Sequence, residues 1–261
     1  MQKLHKFIAL GDSLTEGLSD KYPDGTYRGW ADRVADVLAT QTQEFRYANL
    51  AIRGKVLEQV AEHQVPLAIE LIDGKSTLVT FHAGANNVLR PGYDPEIVFA
   101  KYRDAVSKLA ILDPTLLLFT VREVSDPVTK TQTYWNQRFR PFNENVKLVA
   151  AEFGATVMDA NSREVFGDPR LLAKDRLHLS SEGHRRVAAA VLSAVEMPHD
   201  SDWQDPMPPF KPAPAPIRAV GSVVWGIAFL VPWAIRRITK KSSGDGRLAK
   251  HSELITWSPK I

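Results

Sequence analysis

The sequence predicts an α/β protein in which a parallel β-sheet is covered by helices on both faces. Short apolar runs rich in Val, Leu, Ile and Phe alternate along the chain with longer segments of helical periodicity. Runs of this composition are typical of strands that are buried on both faces, as in parallel sheets. Ligands of open parallel sheets bind beyond the carboxyl ends of the strands. Residues that directly follow the strands are therefore the candidates for a functional site.

We expect five strands separated by five longer helices. The predicted strands are His5–Leu10, Phe45–Ala51, Thr77–His82, Leu116–Val121 and Ala155–Asp159. The predicted helices are Trp30–Gln41, Val56–Leu71, Pro95–Leu112, Tyr134–Phe153 and Ser181–Val195. The start of the third helix has the clearest signal, because Asp94 is a good N-cap and Pro95 suits the first helical position.

Length and composition limit what the chain can be. With 261 residues, of which 44% are hydrophobic and 24% charged, the chain can hold one globular domain and an extension. The absence of cysteine excludes disulfides, thiol nucleophiles and cysteine metal sites. The first apolar run is too short for the hydrophobic region of a secretory signal. We therefore expect a cytoplasmic protein.

Charge and proline content divide the chain into a domain (residues 1–197), a proline-rich linker (198–218) and a basic extension (219–261). Seven of the 17 prolines lie between Pro198 and Pro216. Residues 211–261 contain nine Lys or Arg and only two Asp or Glu, although the net charge of the whole chain is +3. A basic tail on a mildly acidic body is not typical of a nucleic-acid-binding domain. It favours peripheral contact with an anionic membrane surface or with an acidic partner.

An uncharged apolar run, Ala219–Ile235, follows the linker. Its 17 residues stand at the lower limit of a membrane span, which needs about 17–25 residues. We expect a helix that packs on the protein body or lies at a membrane surface, and a true span is the alternative. The residues that we expect to face anionic headgroups are Arg236, Arg237, Lys240 and Lys241.

Ser13 is the candidate nucleophile, because it directly follows the first strand. A serine hydroxyl is a poor nucleophile unless a base lies next to it. Asp175 and His178, three positions apart in the last third of the chain, can supply that base and the carboxylate that orients it. We expect His82, which ends the third strand, to pack in the core, and His184, inside the last helix, to lie at the surface.

A serine with such a base and carboxylate points to acyl transfer, which also requires hydrogen-bond donors for the oxyanion of the tetrahedral intermediate. Gly54 and Asn86 follow the second and third strands. A glycine allows a backbone N–H to approach a ligand closely, and asparagine can donate from its side-chain amide. The backbone N–H groups of Ser13 and Gly54, together with Asn86, are therefore the predicted oxyanion hole.

These segments resemble the GDSL, or SGNH, hydrolase family, which is named for four residues: Ser, Gly, Asn and His. The matching blocks are Gly11-Asp12-Ser13-Leu14, Gly54, Gly84-Ala85-Asn86, and Asp175 with His178. The resemblance covers residues 5–196 and implies a flavodoxin-like three-layer α/β/α fold with a parallel five-stranded sheet. It also implies hydrolysis of esters or thioesters through an acyl-serine. The family usually has an aspartate after the asparagine of its third block, where this chain has Asn87, and we interpret this position as a support for the loop.

The prediction is a serine esterase or acylhydrolase that acts on a small-molecule ester or acyl substrate and needs no cofactor. Neither a cysteine nor a His-Glu-x-x-His motif occurs, so we expect no catalytic metal. A carbohydrate O-deacetylase of the same fold is one alternative. A non-catalytic binding protein that retains the fold is another. The acyl group and the leaving group stay open at this stage.

Overall fold

The structure, a computed structural model, describes residues 3–125, 127–211, 214–232, 235, 239 and 242–260, without the side chains of residues 215, 218 and 230. Its sheet has six strands in the order β5-β4-β3-β1-β2-β6. These strands are β1 (Lys6–Gly11), β2 (Arg46–Asn49), β3 (Thr77–His82), β4 (Thr115–Phe119), β5 (Thr156–Met158) and β6 (His251–Thr256). The first five strands are parallel, and β6 is antiparallel to β2.

Helices cover both faces of this sheet, which gives a three-layer α/β/α architecture. The α-helices are α1 (Ser13–Glu16), α2 (Gly29–Gln41), α3 (Leu57–His63), α4 (Val65–Leu71), α5 (Ala85–Val88), α6 (Pro95–Ala110), α7 (Lys130–Phe153), α8 (Ser181–Ala194) and α9 (Ala215–Trp225). Helices α2 and α8 pack on one face, and α3, α4, α6 and α7 pack on the other. The predicted fold class is therefore confirmed.

Strand β1 shows how the two cores form on either side of the sheet. Phe7 and Ala9 belong to the core under α2 and α8, whereas Ile8 and Leu10 belong to the core under the other helices. All four side chains are fully buried. Because side chains alternate across a strand, only a strand buried on both faces carries such a continuous apolar run.

The sheet has six strands, one more than the five that we expected. β6 comes from the basic extension, and its side chains are mostly exposed or half-buried, so it lacks the apolar alternation that predicts a strand. Pairing of Tyr47 with Ile255 and packing of the Trp257 indole against the Tyr47 ring (5.0 Å between centroids) hold it at the edge of the sheet. Long-range contacts, and not local sequence preference, decide this strand.

Two of the predicted helices differ from the structure by more than two residues or by a break. The segment expected as one helix, Val56–Leu71, is divided at Gln64 into α3 and α4. Helix α7 begins four residues before the expected Tyr134, because Thr129 and Gln132 form a capping box at its start. The Thr-x-x-Gln spacing is a sequence signal that could have placed this boundary.

The basic extension returns to the body of the protein. The Lys250 side chain is only 14% exposed, and its ammonium group lies 2.7 Å from a carboxylate oxygen of buried Asp32. The same ammonium donates to the carbonyl oxygens of Tyr27 and Arg28. Such a buried charge needs a partner and hydrogen bonds to offset its desolvation. Lys250 and β6 therefore anchor the end of the chain.

Helix α9 continues through a π-helical turn, Gly226–Leu230. Within the described part of the chain, every helix is too short or too polar to qualify as a membrane span. The four basic residues expected to face anionic headgroups, Arg236, Arg237, Lys240 and Lys241, lie outside the described residues.

Candidate active site

Ser13 begins α1, two residues beyond the carboxyl end of β1. Gly11 ends the strand with a φ of +149°, and a Cβ atom there would collide with the carbonyl oxygen of His82 on β3. Gln64 fixes the same glycine, because its side-chain amide bonds both the N–H and the C=O of Gly11 (2.8 and 2.9 Å). The sharp turn after a buried strand thus presents the Ser13 hydroxyl at the edge of the sheet.

The fold brings Ser13, His178 and Asp175 into one hydrogen-bonded row. The Nε2 atom of His178 lies 3.0 Å from Ser13 Oγ, and its Nδ1 atom lies 2.6 Å from Asp175 Oδ2. A carboxylate beside Nδ1 keeps a proton on that nitrogen, so Nε2 is left as an acceptor for the serine proton. These distances suit a nucleophile, a general base and a group that orients the base.

Asp175 is held as an anion by its own loop. Its Oδ1 atom accepts the backbone N–H groups of Leu177 and His178, both at 3.0 Å. Burial by itself would raise the pKa of the Asp175 carboxyl, but the hydrogen bonds from the His178 side chain and from these two backbone groups outweigh burial and lower it. The carboxylate is therefore available to orient and stabilise the imidazole.

Gly54 lies beyond β2 in a turn that a buried ion pair orders. The Arg53 guanidinium bonds the Glu16 carboxylate, which also accepts the Arg53 backbone N–H at 2.7 Å. Gly54 has a φ of +72°, and a Cβ atom there would collide with the hydroxyl of Ser242. Only glycine fits this position without strain.

Asn86, in α5, faces the same cavity, but both hydrogens of its amide have partners. Its Nδ2 atom donates to Asp12 Oδ2 at 2.9 Å and to the carbonyl oxygen of Lys55 at 3.0 Å. Burial raises the pKa of the Asp12 carboxyl, although His82, the Leu14 N–H, His178 and Asn86 oppose the shift. An oxyanion at this position would compete with Asp12 for one N–H of Asn86.

Asn87 joins the loop to helix α3. Its Oδ1 atom accepts the backbone N–H of Leu57 (2.8 Å), and its Nδ2 atom donates to Glu58 Oε2 (2.7 Å). An amide can both accept and donate here, whereas a carboxylate could only accept. The interpretation of Asn87 as a support for the loop agrees with these contacts.

Two other histidines lie outside the hydrogen-bonded group of Ser13, His178 and Asp175. His82 is buried, and its ring packs against Phe119 (5.1 Å between centroids), as expected. The expectation that His184 lies at the surface was wrong. Its ring is fully buried, accepts the Trp30 N–H at 3.1 Å and lies 3.0 Å from the carbonyl oxygen of Leu18. His184 therefore ties α8 to α2 and to the segment after α1, a long-range contact that helical periodicity does not reveal.

Ser13 and His178 open into a cavity of about 380 Å³. Its lining residues are Asp12, Ser13, Leu14, Gly54, Ala85, Asn86, Leu89, Trp135, Asp175, Arg176, Leu177, His178, Trp225, Phe229, Ser242 and Ser243. All five residues predicted for the site are among them. Four further lining residues, Trp225, Phe229, Ser242 and Ser243, come from the basic extension and were not predicted as site residues.

In the described residues, His, Asp and Glu side chains nowhere gather in a group of three or more that could hold a metal ion. The absence of a catalytic metal stays a prediction, which chelation tests below.

Solved structures from several bacteria share the fold of this chain. An acetylxylan esterase from Geobacillus stearothermophilus is 21% identical over 77% of this chain and 100% of its own, with a TM-score of 0.61. A member of the lipolytic G-D-S-L family from Veillonella parvula is 18% identical over 73% of this chain and 98% of its own (TM-score 0.58). The psychrotrophic esterase EstA from Pseudoalteromonas sp. is 16% identical over 74% of this chain and 97% of its own (TM-score 0.55).

No curated protein matches the chain. Residues 9–186 match the model of the GDSL-like lipase/acylhydrolase family, and this match spans well over half of the sequence. It includes Ser13, Gly54, Asn86, Asp175 and His178. The chain accordingly belongs to the GDSL-like lipase/acylhydrolase family and is a hydrolase that acts on ester bonds.

Proposed function

We propose that the protein is a serine esterase or acylhydrolase that cleaves its ester or thioester through an acyl-serine intermediate. The observation that carries this proposal is the row of hydrogen bonds from Ser13 Oγ through His178 to Asp175. A core serine or a helix cap needs no imidazole at hydrogen-bond distance, whereas a nucleophile does.

In the first half-reaction, Ser13 Oγ attacks the carbonyl carbon of the substrate as His178 Nε2 takes the hydroxyl proton. The carbonyl π electrons move to the oxygen, which becomes an oxyanion. Collapse of the tetrahedral intermediate breaks the bond to the leaving alcohol or thiol, which receives the proton from Nε2. The Asp175 carboxylate stabilises the imidazolium that forms between these two proton transfers.

In the second half-reaction, water replaces the leaving group. His178 Nε2 takes a proton from this water as its oxygen attacks the acyl carbonyl carbon. Collapse then releases the carboxylic acid and returns the proton to Ser13 Oγ. The chain needs no other reactant for this cycle.

The oxyanion is assigned to the backbone N–H groups of Ser13 and Gly54 and to the Asn86 amide. Ser13 lies in the first turn of α1, where N–H groups have no partner within the helix. The positive φ of Gly54 and its place in the cavity wall suit a backbone donor. Asn86 contributes when the oxyanion replaces Asp12 as the partner of one N–H.

A covalent phosphonate probe tests the proposal directly. Wild-type protein incubated with a fluorophosphonate should gain one label, and peptide mass spectrometry should place it on Ser13. Ser13→Ala should abolish both labelling and ester hydrolysis, whereas Ser19→Ala, an exposed serine after α1, should keep both. A label on another serine, or hydrolysis by the Ser13→Ala protein, would reject the mechanism.

A carbohydrate O-deacetylase is the second candidate, and the likeness to an acetylxylan esterase favours it. Release of acetate from an acetylated xylo-oligosaccharide, faster than from simple aryl esters, would support it. A non-catalytic binding protein is the third reading, and the complete row from Ser13 to Asp175 argues against it.

Contact with a membrane surface is a separate part of the proposal. The outer face of α9 carries exposed apolar side chains, including Val220, Val223 and Ile227, and four basic residues follow the apolar run in the sequence. An apolar helix face beside basic residues is typical of peripheral binding to anionic lipid.

A further inference from the structure

Part of the cavity wall comes from the basic extension. Trp225, at the end of α9, and Phe229, one turn later, both line the cavity. Both aromatic side chains therefore contribute apolar surface to this cavity. Leu89, Trp135 and Leu177 from the body complete it.

The same helix contacts the loop that carries the acid and the base. The indole N–H of Trp225 donates to the carbonyl oxygen of Asp175 at 2.9 Å. The guanidinium of Arg176, which has a left-handed φ of +56°, lies over the Trp225 ring at 5.1 Å. Trp225 is thus the contact between the apolar wall and the Asp175–His178 loop.

The segment that follows the helix also contacts the body of the protein. After the helix, the Ser242 hydroxyl lies 3.4 Å from the carbonyl oxygen of Gly54, and Gly244 packs on the Arg53 carbonyl. Lys250 and β6 then hold the remainder of the extension to the body. The helix is therefore part of the site and not a free tail.

We propose that Trp225 and Phe229 determine the acyl specificity of the enzyme: they bind an apolar acyl chain of several carbons, and Trp225 also positions the Asp175–His178 loop. This inference rests on the proposed ester hydrolysis at Ser13. The family match ends at residue 186, before this helix, so it does not include Trp225 and Phe229.

The size and the chemistry of the cavity agree with an acyl chain. A volume of about 380 Å³ is within the range of small-ligand sites, roughly 300–1,000 Å³, and exceeds what an acetyl group needs. Burial of each methylene of a chain favours binding by a factor of about four. A preference for octanoyl over acetyl esters should therefore be large, and it should depend on the rings that the chain contacts.

The test is a series of p-nitrophenyl esters with acetyl, butanoyl and octanoyl chains, measured as kcat/KM. For wild type we expect kcat/KM to rise from acetyl to octanoyl. Phe229→Ala should lower the ratio of octanoate to acetate activity by about tenfold and change acetate activity little. Val224→Ala, at an exposed position of the same helix, is the matched control and should leave the ratio unchanged.

Trp225→Phe separates the two roles of Trp225, because it keeps a ring but removes the indole N–H. We expect a lower kcat for all three esters with a retained chain preference, since the loss acts on the catalytic loop. Circular dichroism and the melting temperature establish that each variant is folded.

A wild-type enzyme that prefers acetate, or a Phe229→Ala protein with an unchanged ratio, would overturn the inference. An active enzyme with a labelled Ser13 and no chain preference would reject this inference alone. Absence of both labelling and turnover would instead reject the proposed function.

Discussion

The Nε2 atom of His178 lies 3.0 Å from the hydroxyl of Ser13, although 165 positions separate the two residues in the chain. Ser13 follows the first strand, and His178 lies in the loop before the last helix of the body. Both reach the carboxyl edge of the sheet, and the contact between them is the basis of the mechanism proposed for Ser13.

The first prediction concerns the base and its partner. His178→Ala should lower kcat about as much as Ser13→Ala, because neither residue acts without the other. Asp175→Asn should lower kcat less than His178→Ala does, because the nucleophile and the base remain and only the imidazole tautomer is disturbed. Steady-state kinetics with an aryl ester test this order, and a chelator should leave the wild-type rate unchanged. Full activity of the His178→Ala protein, or loss of activity with chelator, would contradict the mechanism.

The second prediction concerns Asn86. Asn86→Ala should lower kcat by about 10²–10³ while the fold stays intact, as is typical when one oxyanion donor is removed. The structure adds that Asn86 also donates to Asp12, so the melting temperature should be measured with the kinetics. A folded Asn86→Ala protein with nearly normal turnover would remove Asn86 from the mechanism.

The third prediction concerns Asn87. Asn87→Asp should lower the free energy of unfolding by about 1–2 kcal/mol, because the bond to Glu58 is lost and a second carboxylate takes its place. Its effect on kcat should be much smaller than that of Asn86→Ala. Adding Glu58→Gln should restore most of the stability, since glutamine can donate to the new aspartate. Urea denaturation of the single and double variants measures this coupling. A large gain of activity in Asn87→Asp would contradict the supporting role.

The fourth prediction concerns pH and stability. Burial lowers the pKa of His251 on β6 to about 4, helped by Lys250 and Lys260, and burial also lowers the pKa of His184 to about 4. Between pH 6.5 and 4 the unfolded chain therefore binds more protons than the folded protein, and the free energy of unfolding falls as the pH falls.

His251→Phe tests this pH dependence, because it keeps an aromatic ring against Tyr47 and Trp257 but removes the titratable imidazole of His251. Denaturation at pH 7.5, 5.5 and 4.5 should show a weaker loss of stability in this variant than in wild type. Identical pH dependence in the two proteins would exclude His251 as a contributor.

The fifth prediction concerns the exposed face of α9. The protein should sediment with vesicles that contain anionic lipid, less so as salt is raised, and Val223→Asp should weaken binding. Leu148→Asp, at a comparably exposed apolar position on α7, is the control and should bind like wild type. If the wild-type protein does not bind anionic vesicles at low salt, or if both variants lose vesicle binding equally, membrane contact through α9 is rejected.

Much of the fold follows from local features of the sequence. The apolar run from Phe7 to Leu10 predicts a strand buried on both faces, and Asp94 with Pro95 predicts the start of a helix, because these signals depend on neighbouring residues only. The same holds for the motif residues. Ser13, Gly54 and Asn86 follow predicted strands, so their common edge could be inferred before any distance was known.

The sequence by itself determined the α/β class, the first five strands and the candidate residues of the site. Tertiary structure alone decided that Asn86 already donates to Asp12, that His184 is buried, that β6 joins the sheet and that Trp225 reaches Asp175. The physical reason is that local periodicity records which face of an element is apolar. It does not indicate which distant part of the chain covers that face. That choice depends on how side chains fit together and on hydrogen-bond partners that come into contact only in the folded protein.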